Sequence, residues 1–225
     1  MKIEFTLLFF VEAIGTIAFA SSGAMVAIKK QLDLLGIIVL GVTTAVGGGM
    51  LRDIILGNFP PALFKDPIYV FLAFITVMLL FILVRKNQKF ISGPWMVTYE
   101  KIMNLFDAIG LGAFTVVGMD MALLSGYKDY QFLTIFLGVI TGVGGGILRD
   151  ILAGQTPHVL KKHVYACAAI TGALIYAFLM NCMNEDAAML TGAFSIVLIR
   201  LLAARFCWNL PTAVKIDERK ETRHD

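Results

Sequence analysis

Seven apolar stretches of spanning length, roughly 20 residues each, divide the chain near residues 5–28, 33–57, 67–84, 102–124, 131–154, 163–182 and 187–206. The polar breaks between them are short: Lys29-Lys30-Gln31, Asn58 to Asp66, Arg85 to Lys101, Gly126 to Tyr130, Gln155 to Lys162 and Asn184-Glu185-Asp186. This pattern predicts an all-α membrane protein with seven transmembrane helices in a single transmembrane domain, residues 1–208. From Asn209 the chain turns polar and charged, which predicts a disordered cytoplasmic tail over 209–225. Ala18-Phe19-Ala20 before Ser21 resembles a signal-peptidase site. The apolar run continues past it to Ile28, however, and the stretch belongs to an internal repeat, so it is expected to stay as the first helix.

Two motifs 97 positions apart carry that repeat: Gly47-Gly48-Gly49-Met50-Leu51-Arg52-Asp53 and Gly144-Gly145-Gly146-Ile147-Leu148-Arg149-Asp150. At an offset of 95, Glu12-Ala13-Ile14-Gly15 with Ala18-Phe19 and Gly23 matches Asp107-Ala108-Ile109-Gly110 with Ala113-Phe114 and Gly118. Gly57, Pro60 and Lys65 match Gly154, Pro157 and Lys162 at 97. The first three segments (about 5–84) therefore resemble the next three (about 102–182), and the seventh (about 187–206) is left over. Three is odd, so the second copy enters the bilayer from the opposite face, an inverted repeat about a pseudo-two-fold axis in the membrane plane.

Composition agrees: 58% of residues are hydrophobic, 16% are charged and the mean hydropathy is +0.81, too apolar for a soluble domain of 225 residues. The net charge of +3 says less than its distribution. The face with the N-terminus carries Lys2, Arg52, Lys65 and Lys128, while the other face collects the remaining fifteen of nineteen basic residues. The positive-inside rule then puts the N-terminus outside and the tail in the cytoplasm of a cell with this protein in its inner membrane. Cys167, Cys182 and Cys207 lack metal-ligand spacing and read as apolar packing residues. His158, His163 and His224 make no zinc or triad pattern. With no nucleophile–base pair, metal cluster or cofactor motif, and no nucleic-acid signature, the chain does not read as an enzyme.

Three successive glycines remove every side chain from one helical turn and cost about 1 kcal/mol each relative to alanine. A charge at membrane depth costs several times that. The backbone can kink at such a turn, and freed carbonyls must then face protein or water, never lipid. Close packing of helices accounts for one such cluster. Two clusters, each followed by Arg-Asp at the same offset, favour a conduction path between the second and fifth segments. Glu12 and Arg52 lie at similar depth, as do Asp107 and Arg149, so Glu12–Arg52 and Asp107–Arg149 are expected ion pairs, either locking neighbouring helices or gating. Asp53 and Asp150 lie about 100° round the helix from their arginines and are expected to cap neighbouring helix ends or to face a vestibule. Thr43, Thr44 and Thr141, one turn before the glycines, offer hydroxyls either to an ion or, more simply, to their own helix, and Ser21-Ser22 is similar. Asp120 reads as a solvated helix end.

Paired Gly-Gly-Gly-x-x-Arg-Asp motifs, two three-helix repeats and a seventh helix resemble the trimeric intracellular cation channel family in its prokaryotic branch, over about residues 5–206. The Lys-Glu-Val motif of the animal branch is missing, so its calcium and phosphoinositide control is not carried over. The resemblance implies a homotrimer in membrane lipid, with one pore per protomer lined by the second and fifth helices and passing K⁺ and Na⁺. The same bacterial group is linked to glycine transport, which keeps a small-amino-acid carrier as the alternative. A non-conducting scaffold is the third reading.

Overall fold

The computed structural model describes residues 6–87, 95–161, 164–206 and 208, so the tail over 209–225 and the residues Lys2, Lys162, His163, Cys207 and His224 lie outside the described residues. Among those described there are nine helices and no strand: α1 (Leu7–Lys29), α2 (Leu34–Leu56), α3 (Ala62–Lys65), α4 (Ile68–Lys86), α5 (Trp95–Leu124), α6 (Gln131–Leu152), α7 (His158–Lys161), α8 (Tyr165–Leu179) and α9 (Glu185–Arg205). Six are long and apolar enough to cross a bilayer, and α8 is a shorter apolar helix, which makes this a multi-pass helical membrane protein. The seven expected segments correspond to α1, α2, α4, α5, α6, α8 and α9; α3 and α7 are four-residue helices within two of the breaks.

Local chemistry sets the helix ends. Thr6, Asp33 and Asn184 are N-caps, their side chains accepting from the backbone N–H of Phe9, Gly36 and Ala187. Gly57 (φ 71°) and Gly154 (φ 64°) take the left-handed conformation just past α2 and α6, which glycine adopts without a Cβ penalty. The N–H groups of Asn58 and Gln155 then bond the carbonyls of Asp53 and Asp150, both at 2.9 Å. The two copies end their second helix in the same way.

Two boundaries differ from expectation. The helix expected near 102 begins at Trp95, because Tyr99 and Glu100 find partners on α1: the Tyr99 hydroxyl donates to Met25 O (2.6 Å) and Lys29 Nζ meets Glu100 Oε1 (2.6 Å). α8 has only 15 residues, about 22 Å at 1.5 Å per residue, where about 20 residues were expected.

α1 packs on α2, α4 and α5, and α5 packs in turn on α6, α8 and α9, with α2 crossing α6 at the centre. Contacts recur in repeat-related pairs. A Cβ on Gly23 would lie 2.5 Å from Thr44 Oγ1, and one on Gly118 would lie 2.5 Å from Thr141 Oγ1. Small residues thus set the α1–α2 and α5–α6 approaches, the way membrane helices associate when burial from water is not the driving force. α4 is the least enclosed span, with Phe71, Ile75, Leu79 and Leu83 facing outward.

Candidate functional site

The glycine motifs form the α2–α6 crossing. Both helices are continuous α-helix through their triple glycines, so the expected interruption is absent in this state. Absent side chains let the backbones touch. A Cβ on Gly48 would sit 2.0 Å from Thr141 O, and one on Gly145 would sit 2.2 Å from Thr44 O. Gly47 faces Leu148 and Gly144 faces Leu51, again reciprocally. The third glycines differ: nothing but Arg52 Nη2 (3.8 Å) comes near a Cβ on Gly49, whereas one on Gly146 meets the Tyr165 hydroxyl at 2.7 Å. The Thr44 and Thr141 hydroxyls donate to Leu40 O and Leu137 O, both at 2.6 Å, so in this state they serve their own helices.

On either side of the crossing lies a charged cluster. Toward the end of the bundle where α1 begins, Arg52 is buried and donates through Nε and Nη2 to Asp53 Oδ1 at 2.9 and 2.8 Å. The second oxygen of Asp53 accepts from Ala62 N at 2.8 Å, capping α3. Glu12 stands within electrostatic reach of Arg52 and beside Tyr69 of α4, but the direct salt bridge of Arg52 is with Asp53. The sequence placed both groups at one depth, but an arginine side chain is long enough to curl back onto the next residue, and that carboxylate already faces it. Glu12, Thr16, Gly49, Arg52, Asp66 and Tyr69 line one cavity of about 110 Å³.

The equivalent cluster toward the other end is larger, and a cavity of about 180 Å³ lined by Lys29, Lys30, Glu100, Asn104, Gln155 and His158 reaches its edge. Arg149 Nη1 donates to Asp107 Oδ1 (2.6 Å) and to Ser22 Oγ (2.6 Å), and Nε donates to Asp150 Oδ1 (2.8 Å). Asp150 Oδ2 accepts from His158 N and lies 2.7 Å from His158 Nδ1, capping α7 as Asp53 caps α3. Tyr165 donates to Asp107 Oδ1 (3.3 Å), and Arg200 of α9 reaches Asp107 Oδ2 (3.4 Å) while stacking over the Tyr165 ring at 4.5 Å. Arg149, Asp107 and Asp150 are all 4% exposed or less, so the charges of this cluster are buried and mutually neutralising.

Several participants were not evident in the sequence. His158, Ser22, Tyr69, Tyr165 and Arg200 are drawn in by tertiary packing. Asp120 is buried rather than solvated, because the N-terminus of α9 and Tyr176 of α8 cover it; the Tyr176 hydroxyl donates to Asp120 Oδ1 at 3.4 Å. Cys167 and Cys182 are exposed on the isolated chain rather than packed inside. Among the described residues, no group of three or more His, Cys, Asp or Glu side chains is arranged to hold a metal ion.

The fold that carries this site is that of the TRIC channels. The chain aligns with the TRIC trimeric intracellular cation channel orthologue from Rhodobacter sphaeroides at a TM-score of 0.80 and 30% identity, covering 90% of this chain and 100% of that one. A prokaryotic TRIC channel solved in 0.5 M KCl aligns at 0.81 and 30% identity, over 92% and 100% of the two chains. A third, from work on conductance through TRIC cation channels, aligns at 0.77 and 36% identity, over 93% and 98%. Residues 9–85 and 104–181 each match the family described as "Glycine transporter", one match per repeat. The UPF0126 membrane protein of Vibrio cholerae is 40% identical over 93% of this chain and 84% of its own length. The UPF0126 inner membrane protein YadS of Escherichia coli K12 is 38% identical over 92% and 96%. The chain belongs to this glycine-transporter family and is a relative of the UPF0126 membrane proteins and of the TRIC channels.

Proposed function

We propose that the chain is a passive channel for monovalent cations, K⁺ and Na⁺, working as a homotrimer in the inner membrane with one pore per protomer between α2 and α6. The observation that carries this reading is the reciprocal contact of Gly48 with Thr141 O and of Gly145 with Thr44 O. Where two helices meet through backbone alone, a small separation exposes carbonyl oxygens, the ligands a dehydrating cation needs. The pore runs from the Glu12–Tyr69 cavity, past Gly47–Gly49 and Gly144–Gly146, to the Asp107–Arg149 cluster. Arg52–Asp53 and Arg149–Asp150 hold its two mouths. A cavity reaches the cluster at each end, about 110 Å³ beside Arg52 and about 180 Å³ beside Gln155 and His158, and the tight glycine crossing between them fits a closed resting state. Charge distribution supports an external N-terminus and a cytoplasmic tail, and the one-match-per-repeat pattern supports the inverted duplication within a single transmembrane domain.

Planar-bilayer recording of the purified protein tests this: discrete ohmic steps that reverse at the K⁺ equilibrium potential are expected. Silent bilayers together with saturable glycine uptake into liposomes would instead establish the second reading, a carrier for a small amino acid. That reading draws on the family's description and on the duplicated architecture, which also suits alternating access. The lack of a carboxylate at the crossing itself, where a coupling ion would bind, favours the channel.

A further inference from the structure

Among the described residues, one buried side-chain polar atom has no hydrogen-bond partner: Arg200 Nε. A buried guanidinium N–H left unmade is costly and is rare without a reason. Arg200 is 6% exposed, sits on α9, the helix with no repeat mate, and is held in place by stacking on Tyr165 at 4.5 Å from ring centroid to Cζ. Its only bond to the cluster is a long one, Nη2 to Asp107 Oδ2 at 3.4 Å, while Arg149 takes the other oxygen at 2.6 Å. Asp107 thus lies between two arginines of unequal hold. One belongs to α6, a helix of the glycine crossing. The other belongs to α9, which packs on α5 and α8.

We infer that Arg200 is a relay partner for Asp107. When α6 shifts and Arg149 withdraws, Asp107 turns to Arg200 and accepts from both Nε and Nη2 in a two-pronged fork. Without that second partner, withdrawal of Arg149 would leave a buried carboxylate unpaired, the state that makes breaking a buried ion pair expensive. Arginine is needed because its planar fork matches a carboxylate with two parallel bonds, which an ammonium does not. Arg200 is a positioning residue: it lowers the cost of unsealing this end and stays off the ion path. This assigns α9 a place in gating, and it rests on the channel reading above.

The test is single-channel recording of the full-length protein and its Arg200→Gln and Arg200→Lys variants, with thermal unfolding followed in parallel. Open probability is expected to fall at least about tenfold in Arg200→Gln at unchanged unitary conductance, with Arg200→Lys recovering only part of it. Unchanged open probability in a folded variant overturns the relay, and so does a rise, which would make Arg200 a latch of the sealed state. If Arg200→Gln does not fold, Arg200→Lys decides on the same criterion. A wild-type protein that passes no current removes the channel reading itself, an outcome distinct from a conducting wild type matched by its variants.

Discussion

Phe19 and Phe114, equivalent positions of the two repeats, pack against each other with ring centroids 5.3 Å apart and planes inclined at 37°. Each also fills the space left by a glycine of the other repeat: a Cβ on Gly110 would lie 2.0 Å from the Phe19 ring, and one on Gly15 would lie 3.2 Å from the Phe114 ring. The duplicated sequence has therefore built a contact of itself with itself at the junction of α1 and α5. Gly110→Ala is expected to destabilise the protein by about 1–3 kcal/mol through overpacking. In a Phe19→Ala background, which costs about 3–5 kcal/mol alone, the same change should cost little, because the ring it strikes has gone. Thermal unfolding of the four proteins in detergent measures the coupling. Additive effects would show that the contact is not made.

The glycines of one motif should not respond alike. Gly48→Ala and Gly145→Ala place a methyl within 2.0 and 2.2 Å of a facing carbonyl oxygen, so α2 and α6 must separate. A loss of about 1–3 kcal/mol is expected for each, together with altered unitary current. Gly49→Ala meets only Arg52 Nη2 at 3.8 Å and should gain about 0.5–1 kcal/mol from helix propensity. Equal effects at positions 48 and 49 would mean that the crossing is not where the two helices touch.

Much of this was legible in the chain. Apolar run lengths located the spans, since a bilayer demands about 20 residues whatever the fold. Matching depths brought Asp107 to Arg149, now 2.6 Å apart. The same reasoning paired Glu12 with Arg52, and there the short-range option, Asp53 next in the chain, prevails. The equivalence of Tyr69 and Tyr165 was hidden because the loop after the second helix is one residue shorter in the second copy. Asp53 caps Ala62 nine residues on, Asp150 caps His158 eight residues on, and the offset falls from 97 to 96 beyond that point, so Lys65 corresponds to Lys161 and not, as its spacing of 97 suggests, to Lys162. Arg200 has no repeat mate to flag it, and only the packing of α9 against α5 and α8 brings it to Asp107.

The Asp107–Arg149 pair should behave as a unit. Arg149→Ala leaves Asp107 and Asp150 buried beside each other's charge, and Asp107→Ala leaves Arg149 with Asp150 alone of its two acidic partners. Either single change is expected to cost about 3–5 kcal/mol. The double variant should cost well below the sum, which thermal unfolding resolves as a double-mutant cycle. Strict additivity would contradict the 2.6 Å contact.

Glu12 calls for the opposite expectation. It lines a cavity of about 110 Å³ beside Tyr69 and within electrostatic reach of Arg52, with no direct salt bridge to break. Glu12→Gln keeps the size of the side chain and an oxygen that can face the Tyr69 hydroxyl, so unfolding temperature should stay close to wild type. What changes is the field of the cavity: one negative charge fewer facing Arg52 makes it less hospitable to a cation. Unitary K⁺ current entering from the N-terminal face is therefore expected to fall, and the fall should shrink at high salt as mobile ions screen the difference. Tyr69→Phe, which removes the donor and keeps the charge, is expected to lower stability by about 0.5–1.5 kcal/mol with little loss of current. A Glu12→Gln protein that conducts like wild type at low salt would place the ion path elsewhere than this cavity.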